Sequence, residues 1–301
     1  MNAIIETRAL AYRYGKGAVV RDLQLSVPEG SIYAFLGPNG AGKTTTIKLL
    51  LNILRPTGGN ATVLGVDSTQ LRPAELAQIG YVSENQQLPD WMTVKQLIDF
   101  CRPMYPTWDS DFCSKMLGTF CLPPDSRLKN LSRGMKMKAA LLIALAYRPR
   151  LLVLDEPFTG LDPLVRDEVI HGILELTEQE NWSVFISSHD IDEVERFADW
   201  IGFIDGGRLR VAKSTADLRA GFKRLDCVVP AGSCSPSATP RSWLVPEINL
   251  RSLSVIESEY SPGESERRLA ALFPDATDVT ATDVSLREIF VALAQSPGSN
   301  P

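Results

Sequence analysis

One glycine-rich run limits the folds open to this chain more than any other feature of its sequence. The run GPNGAGKTT, residues 37–45, follows the apolar, β-rich segment Ile32 to Leu36 and precedes a helical pattern from Thr44 to Leu54. Glycines between a strand and a helix let the backbone N–H groups converge, and the helix N-terminus adds its positive dipole end. Such a loop binds phosphate groups, so the pattern and its two flanks predict a nucleotide phosphate site.

Every position of this loop is a candidate contact for a nucleotide. Lys43 is long enough to reach the β- and γ-phosphates, and the hydroxyl of Thr44 is suited to bind Mg²⁺. The predicted nucleotide contacts are Gly37, Pro38, Asn39, Gly40, Ala41, Gly42, Lys43, Thr44 and Thr45. Kinases, GTPases, helicases and transport ATPases all use such a loop, so it does not select among them.

Two carboxylates follow an apolar strand farther along the chain. In LLVLDEP the run Leu151 to Leu154 ends in Asp155 and Glu156, which places both acids at the carboxyl edge of a parallel sheet. We expect Asp155 to hold Mg²⁺, often through its water, and Glu156 to act as general base for the attacking water. His189 follows the strand Val184 to Ser187 and is expected at the same edge, where it would contact the γ-phosphate and align the water. The predicted catalytic residues of this ATPase site are Lys43, Glu156 and His189.

The order of apolar segments predicts a mixed α/β fold. Short β-rich runs alternate with helical patterns, which is typical of a parallel sheet covered by helices. The predicted strands of this sheet are Ile32 to Leu36, Ile79 to Val82, Leu151 to Leu154, Val184 to Ser187 and Ile201 to Ile204. Before them, Ile4 to Tyr14 and Val19 to Val27 alternate as antiparallel strands do, with a turn at residues 28–30. Strand signals vanish from about residue 88 to residue 148, which predicts an inserted helical subdomain.

The composition changes near residue 215, and we expect a domain boundary there. Residues 216–301 carry no chemical motif, and Val229 to Pro240 is rich in Pro, Ser and Ala, as exposed linkers are. A small α+β domain is predicted from alternating strands and helices at Leu253 to Glu257, Glu264 to Phe273, Thr277 to Thr282 and Ser285 to Ala294. The last residues, SPGSNP, are expected to be disordered.

Composition and charge argue against several classes of protein. Acidic residues outnumber basic ones by 36 to 31 without a dense Lys/Arg run, so no nucleic-acid partner is expected. The longest apolar runs fall short of the roughly 20 residues that cross a bilayer, and the N-terminus lacks the pattern of an export signal. Five cysteines without a CxxC pair make a poor zinc set and are expected to be reduced, mostly buried thiols. The expected location is the cytoplasm.

A third segment relates these motifs to a family. LSRGM, residues 131–135, opens a helical pattern 23 residues before Asp155, counted from Ser132. With the motifs above, it resembles the signature of the ATP-binding subunits of ABC transporters, usually LSGGQ, and the resemblance covers residues 1 to about 212. Arg133 replaces the first glycine of that signature and Met135 its glutamine, whereas Ser132 and Gly134 remain. Similar forms belong to bacterial exporters of drugs, peptides and lipids.

The resemblance implies a P-loop NTPase fold of the ABC ATPase type over residues 1–215, with ATP and Mg²⁺ as cofactors. Ser132 and Gly134 would face the nucleotide of a second subunit, so that a head-to-tail homodimer or heterodimer encloses two ATP molecules. Glu84 stands where the family has a magnesium-contacting glutamine. Tyr14 stands where the family has an aromatic residue that stacks on adenine, and Tyr12 is the alternative.

The resemblance also implies a separate transmembrane permease subunit, because no segment of this chain is expected to span a membrane. Membrane contact would then occur only through that partner, with the chain peripheral on the cytoplasmic face of the inner membrane. Large apolar residues near the start of the helical subdomain are expected to divide between core packing and docking: Trp91, Met92, Phe100, Met104, Tyr105 and Trp108. The closing segment SLREIFVALAQ resembles that of exporter-type ATPases with a small C-terminal domain, which favours export.

Two other functions fit parts of the sequence. A soluble ABC-type ATPase could act on a non-membrane partner such as a ribosome or a chromosome. ABC-type translation factors carry two ATPase cassettes per chain, and ABC-type chromosome proteins carry a long coiled-coil insertion. This chain has one cassette and no such insertion. A module that binds ATP without turnover would be favoured if Glu156 were missing, and Glu156 is present.

Overall fold

The computed structural model describes residues 2–84, 86–180, 182–230 and 240–295 of the 301-residue chain. The chain divides into two compact units, Met1–Leu209 and Arg210–Pro301. Most of the Pro/Ser/Ala-rich stretch, the thiol of Cys234 and the final SPGSNP lie outside the described residues. The first unit contains two sheets and the second unit one, each unit has its own apolar core, and each is described by itself below.

The first unit begins with three strands, after which strands and helices are interspersed. Its strands are β1 (Ala3–Tyr14), β2 (Gly17–Leu23), β3 (Ser26–Pro28), β4 (Ile32–Leu36), β5 (Gly58–Val63), β6 (Val66–Asp67), β7 (Ile79–Ser83), β8 (Leu151–Asp155), β9 (Ser183–Ser188) and β10 (Trp200–Asp205). Its helices are α1 (Lys43–Leu50), α2 (Pro73–Leu76), α3 (Val94–Cys101), α4 (Ser110–Thr119), α5 (Arg133–Ala146) and α6 (Pro163–Glu180). Strand β11 (Arg208–Ser214) begins at the end of this unit and continues into the next.

A parallel sheet forms the centre of the first unit, with neighbouring strands in the order β10, β4, β9, β8 and β7. Strands β4, β8 and β9 are buried along their whole length, as expected for strands covered on both faces. The register sets Asp155 opposite Ser83 on one side and Ser187 on the other, and it sets Leu36 opposite Ser188. The carboxyl ends of β4, β9, β8 and β7 therefore lie side by side. This confirms the predicted α/β fold with a common functional edge.

An antiparallel sheet is built around β1, which pairs with β2, β3 and β5. The sequence predicted one strand over Val19 to Val27, and this was wrong, because two separate strands, β2 and β3, pair with different parts of β1. The break between the two strands falls at residues 24–25, just after Asp22, which has a left-handed backbone (φ 51°) near the end of β2. Helix α1 also ends earlier than predicted, at Leu50, and Asn52 has the positive φ (58°) typical of a residue just past a helix end.

The helical subdomain lies between β7 and β8 and contains α3, α4 and α5. Helices α3 and α4 begin at side-chain caps, in which Thr93 accepts from the N–H of Gln96 and Asp109 from that of Phe112. Helix α6 starts with Pro163 directly after Asp162, whose carboxylate accepts a hydrogen bond from Val165 N at 3.1 Å. This carboxylate therefore caps the N-terminus of α6.

The second unit contains a four-stranded antiparallel sheet with the order β13, β14, β12, β15. Its elements are α7 (Thr215–Gly221), β12 (Lys223–Val228), β13 (Trp243–Asn249), β14 (Ser252–Glu257), α8 (Glu264–Leu272), β15 (Thr277–Asp283) and α9 (Leu286–Gln295). The four elements predicted here are present, but α7, β12 and β13 were not foreseen. Pro246 lies within β13, where a proline is tolerated because β13 is at the edge of the sheet.

Two further properties concern the whole described chain. None of the helices in the described residues is both long and apolar enough to cross a bilayer. Cys101, Cys113, Cys121 and Cys227 are free thiols, of which Cys113 and Cys227 are buried.

Candidate active site

The glycine-rich loop leads from β4 into α1 with a backbone that its glycines make possible. Gly42 directly precedes α1 with φ 108°, and a Cβ atom there would lie 2.8 Å from the carbonyl oxygen of Val19. At Gly37 a Cβ atom would lie 2.2 Å from the carbonyl oxygen of Ile204. Both positions therefore exclude side chains for steric reasons, and the loop is fixed against the ends of neighbouring strands. Pro38, Asn39, Gly40 and Thr44 are exposed, whereas Ala41 is buried.

Lys43 is buried beneath this loop and is surrounded by oxygen atoms. Its Nζ donates to the carbonyl oxygens of Gly37 (2.6 Å) and Pro38 (3.2 Å). The same ammonium lies 3.0 Å from Oε1 of Glu156, and the side chains of both residues are at most 10% exposed. Two residues from motifs more than 100 positions apart thus form a buried ion pair at the sheet edge.

Glu156 is held in an unfavourable backbone conformation directly after β8. Its φ of 52° lies in the left-handed region, which costs a non-glycine residue about 1–3 kcal/mol. The Glu156 N–H donates to Oγ of Ser187 at 3.1 Å, which helps to fix this conformation. A strained backbone at an acidic residue that follows a strand, held in place by a buried hydroxyl, is typical of a functional position.

His189 approaches the other oxygen of the same carboxylate. Its Nδ1 lies 2.7 Å from Oε2 of Glu156, and its backbone N–H donates to that oxygen at 3.3 Å. Burial raises the pKa of Glu156, but the hydrogen bond from His189 and the charge of Lys43 outweigh it, so the pKa lies below its ordinary value of 4.5. Glu156 is therefore ionised at neutral pH and can accept a proton. The His189 side chain is 40% exposed, so the cluster is open to solvent on that side.

Thr44 and Asp155 form a second pair of oxygen-bearing side chains at this edge. Thr44 Oγ1 donates to Oδ1 of Asp155 at 3.1 Å, and the buried hydroxyl of Ser187 donates to the same oxygen at 2.7 Å. Hydroxyl and carboxylate oxygens are the ligands that Mg²⁺ prefers, so the donor set fits this ion. Groups of three or more His, Cys, Asp or Glu side chains placed to hold a metal are absent from the described residues. A metal here would share its coordination with phosphate oxygens and water.

The structure does not bring the remaining predicted residues to this cluster. Ser132 is exposed at the start of α5, where its hydroxyl accepts from Met135 N at 3.2 Å. Gly134 is buried, and a Cβ atom there would lie 2.6 Å from Val165, so packing of α5 on α6 accounts for this glycine. Tyr14 is 52% exposed and makes an edge-to-face contact with the half-buried Tyr12, with ring centroids 4.8 Å apart.

The Glu84 carboxylate, predicted as a metal ligand, faces Arg133 instead. Arg133 Nη2 lies 3.3 Å from Oε1 of Glu84. The backbone of Glu84 remains attached to the site, because its N–H donates to the carbonyl oxygen of Asp155 at 2.8 Å. Two of the three residues that depart from the family pattern, Glu84 and Arg133, therefore contact each other.

Three contributors were missed by reasoning from the sequence. Ser187 supports both Asp155 and Glu156, and Thr159 Oγ1 lies 3.3 Å from Oε2 of Glu156. Arg133 was noted only as a departure from the signature. Polar hydroxyls at the end of the apolar strand VFISS were a signal for Ser187, because a buried hydroxyl requires a hydrogen-bond partner.

Comparisons with known proteins agree with this geometry. The family model described as ABC transporter matches residues 20–159, and the model described as "AAA domain, putative AbiEii toxin, Type IV TA system" matches residues 127–195. Bacitracin transport ATP-binding protein BcrA of Bacillus licheniformis is 34% identical over 211 residues, which cover 69% of each chain. The protein of the same name from Enterococcus faecalis is 27% identical over 303 residues, covering 99% of this chain and 98% of that protein.

A solved structure described as the ATP binding subunit of an ABC transporter has the same fold. It matches with a TM-score of 0.66 at 26% identity, and the match covers 72% of this chain and 92% of that one. The family model that matches residues 20–159 contains Lys43, Asp155 and Glu156, and the model that matches residues 127–195 contains His189. The chain therefore belongs to the ABC transporter family and is an ATP-binding subunit that hydrolyses ATP.

Proposed function

We propose that this chain uses Mg²⁺ and ATP in a head-to-tail dimer to power export through a separate transmembrane subunit. The observation that carries the proposal is the convergence of Lys43, Glu156 and His189 beside the pair formed by Thr44 and Asp155. This arrangement supplies a phosphate-binding cation, a base and a metal-binding pair at one sheet edge. These are the parts that phosphoryl transfer to water requires.

Each side chain of the cluster has a distinct task in this proposal. Lys43 releases its loop carbonyls and Glu156 when it binds the β- and γ-phosphates, because phosphate oxygens are stronger partners for an ammonium. Glu156 then accepts the proton of the attacking water, and its lowered pKa keeps it ionised for this purpose. His189 orients the carboxylate through its 2.7 Å contact and presents its exposed ring towards the γ-phosphate.

Mg²⁺ would be held by Thr44 and Asp155. The ion would neutralise negative charge on the phosphate oxygens when bound. Ser187 fixes the Asp155 carboxylate through its hydroxyl, so this ligand is oriented before any ion arrives. Glu84 remains a candidate for a ligand through water, although its carboxylate is engaged by Arg133.

The nucleotide base and the second subunit complete the site. Tyr14 offers an exposed ring to adenine, and Tyr12, which packs against the core, braces it from the side. Ser132 is exposed at the N-terminus of the 14-residue helix α5, where it would reach the γ-phosphate bound by the partner subunit. Either a homodimer or a heterodimer satisfies this arrangement.

Export is supported by the relatives named for bacitracin transport, one of which matches nearly the full chain. Trp91, Phe100 and Met104 in the helical subdomain are more than half exposed, whereas Met92 is buried. Such exposed apolar side chains are suited to a protein partner. We propose that they receive the transmembrane subunit, which would place the chain at the cytoplasmic face of the inner membrane.

A mixing experiment with two inactive variants tests the shared site. Lys43→Ala removes the phosphate-binding cation, and Ser132→Arg blocks the contribution to the opposite site. In a head-to-tail dimer, one subunit of each kind leaves one complete site and one doubly defective site. Random mixing should therefore restore about a quarter of the wild-type ATPase rate, since half of the dimers hold one of two sites.

The outcomes separate the rival functions. Each variant alone should be inactive, and activity of Ser132→Arg alone at the wild-type rate would rule out the shared site. Wild-type chain expressed with the proteins encoded beside it should copurify from membranes with an integral membrane protein. Recovery of the active ATPase with ribosomes or chromosomes instead would support the soluble alternative and contradict the export proposal.

A further inference from the structure

Arg133 contacts two segments that border the nucleotide edge of its own subunit. Its guanidinium lies 3.3 Å from the Glu84 carboxylate, 49 residues away in sequence. It also packs on Gly160, where a Cβ atom would lie 2.5 Å from Nη1 of Arg133. Gly160 has φ 72° and follows Glu156 by four residues, so the arginine lies between the end of β7 and the segment after β8.

Glu84 is close enough to the phosphate edge for its charge to matter. It directly follows Ser83, which lies opposite Asp155 in the sheet, and its N–H donates to the carbonyl oxygen of Asp155. Asp155 in turn accepts a hydrogen bond from Thr44 in the first turn of α1. A free carboxylate at Glu84 would therefore add a negative charge beside the place where we expect the phosphates.

The acids at this edge differ in how their charges are balanced. Glu156 has Lys43 at 3.0 Å and His189 at 2.7 Å. Asp155 accepts two neutral hydroxyl hydrogen bonds. Glu84 has a full positive charge beside it only because position 133 is an arginine.

We propose that Arg133 is a positioning residue that neutralises Glu84 and holds its carboxylate towards the start of α5, away from the incoming phosphates. The charges of the arginine and the glutamate cancel. The pair therefore has the same net charge as two neutral residues at these positions would have. This inference rests on the proposed function, because it takes the phosphate edge as the ATP site.

A second ion pair on the same helix provides a matched control. Lys136, three residues after Arg133, lies 3.1 Å from Asp90. The side chains of Arg133 and Glu84 are 53% and 33% exposed, and those of Lys136 and Asp90 are 37% and 67% exposed. Both pairs are exposed and join α5 to the segment after β7, but Asp90 has no backbone hydrogen bond to Asp155 among the described contacts.

The experiment measures ATP binding to the full chain in EDTA by titration calorimetry, so that neither hydrolysis nor metal binding contributes. Arg133→Met keeps the bulk of the side chain without its charge, and Arg133→Lys keeps the charge. Glu84→Gln and the double variant Glu84→Gln/Arg133→Met complete the set. Thermal unfolding of each variant establishes that it is folded.

Opposite shifts are expected from the two single changes. Arg133→Met should raise the Kd for ATP about 3- to 10-fold, and Glu84→Gln should lower it by a similar factor. The double variant and Arg133→Lys should lie within about 2-fold of wild type, and so should Lys136→Met and Asp90→Asn/Lys136→Met. The shifts should shrink at about 0.5 M salt, because exposed charges are screened.

Several results would overturn the inference. A Kd of Arg133→Met equal to that of wild type would mean that the arginine only packs on Gly160. A double variant as weak as Arg133→Met would show that Glu84 is not what the arginine compensates. Equal shifts in the Lys136 variants would reveal a general effect of charge on α5. Failure of wild type to bind ATP when Mg²⁺ replaces EDTA would instead refute the proposed function, so the two failures are distinguishable.

Discussion

Glu156 in the first unit and Glu257 in the second are both buried glutamates. Different kinds of partner stabilise their carboxylates. Glu257 is fully buried at the end of β14, where it accepts hydrogen bonds from Trp243 Nε1 (3.1 Å) and from the N–H of Glu259 (3.2 Å). The guanidinium of Arg268 lies 3.8 Å away. Glu156 is also buried, but its two oxygens face the ammonium of Lys43 and the imidazole of His189.

Backbone strain and access distinguish the two carboxylates. Glu257 continues a regular strand, whereas Glu156 has a left-handed backbone immediately after one. The contacts of Glu156 come from a phosphate-binding loop and from a half-exposed histidine, so a ligand can replace them. The contacts of Glu257 include the buried indole of Trp243, for which Glu257 is the one acceptor among the described hydrogen bonds. Burial of a carboxylate alone therefore does not indicate an active site. A buried carboxylate whose partners a ligand can replace does.

The largest effect that follows from this contrast is on hydrolysis. Glu156→Gln keeps the shape of the side chain and removes its ability to accept a proton, so the ATPase rate should fall about 10²- to 10⁴-fold. ATP binding should persist, because Lys43 and the loop remain. Turnover assays with equilibrium ATP binding check both parts. Glu257→Gln is the control, and its rate per folded molecule should stay within about 2-fold of wild type. Full activity of Glu156→Gln would remove the general base from the mechanism.

The next effect is on the stability of the second unit. Glu257→Ala leaves the buried indole N–H of Trp243 without its acceptor, and it should lower the free energy of unfolding by about 2–4 kcal/mol. Glu264→Ala removes an exposed carboxylate that contacts the same Arg268 at 3.4 Å, so it should cost less than about 0.5 kcal/mol. Denaturant titrations followed by tryptophan fluorescence measure the difference. Equal losses in the two variants would show that the buried position of Glu257 has no special weight.

A smaller effect concerns acid pH and again separates Glu156 from an ordinary acid. Its pKa in the folded chain lies below 4.5, so its contribution to stability is present above that value and is lost as the pH falls through the folded pKa. His189→Ala removes the strongest of the contacts that lower this pKa. The pH at which the Glu156 contribution disappears should therefore move upwards in that variant.

The measurement is the free energy of unfolding between pH 3 and pH 7, taken as a difference from Glu156→Gln in each background. Using this difference in both backgrounds removes the titration of other groups that do not contact Glu156. An unchanged midpoint in His189→Ala would mean that the histidine does not influence the carboxylate.

Much of the catalytic edge could be predicted because it depends on local patterns. Apolar runs such as Ile32 to Leu36 and Leu151 to Leu154 fit strands buried on both faces, and the residue after each run must then lie at a shared edge. The meeting of Lys43, Glu156 and His189 follows from that topology. Such an edge requires only the order of the strands and the polar residues that end them.

The parts that could not be predicted depend on contacts distant in sequence or on an unusual strand. The pairing of Glu84 with Arg133 joins the residue after β7 to the first residue of α5, and no periodicity encodes the relative position of these two elements. Strand β12 alternates buried Leu225 and Cys227 with charged residues, but three of its six residues are charged, which hid the pattern. The buried state of Glu257 was likewise invisible, because the sequence around it reads as an ordinary strand end.

The smallest predicted effect tests how far the support of Glu156 extends. Thr159 Oγ1 lies 3.3 Å from Oε2 of Glu156, the oxygen that His189 contacts at 2.7 Å. Thr159→Val preserves the volume and removes this weak, partly buried hydrogen bond, which is worth about 0.5–1.5 kcal/mol at most. We expect kcat to fall about 2- to 5-fold with an unchanged KM for ATP, because the bond orients the base and does not touch the phosphates. Steady-state kinetics measure this split, and a rise in KM with constant kcat would place Thr159 in nucleotide binding instead. Since His189 already contacts the same oxygen, a loss as large as that of His189→Ala would show that the threonine contributes as much as the histidine to the orientation of Glu156.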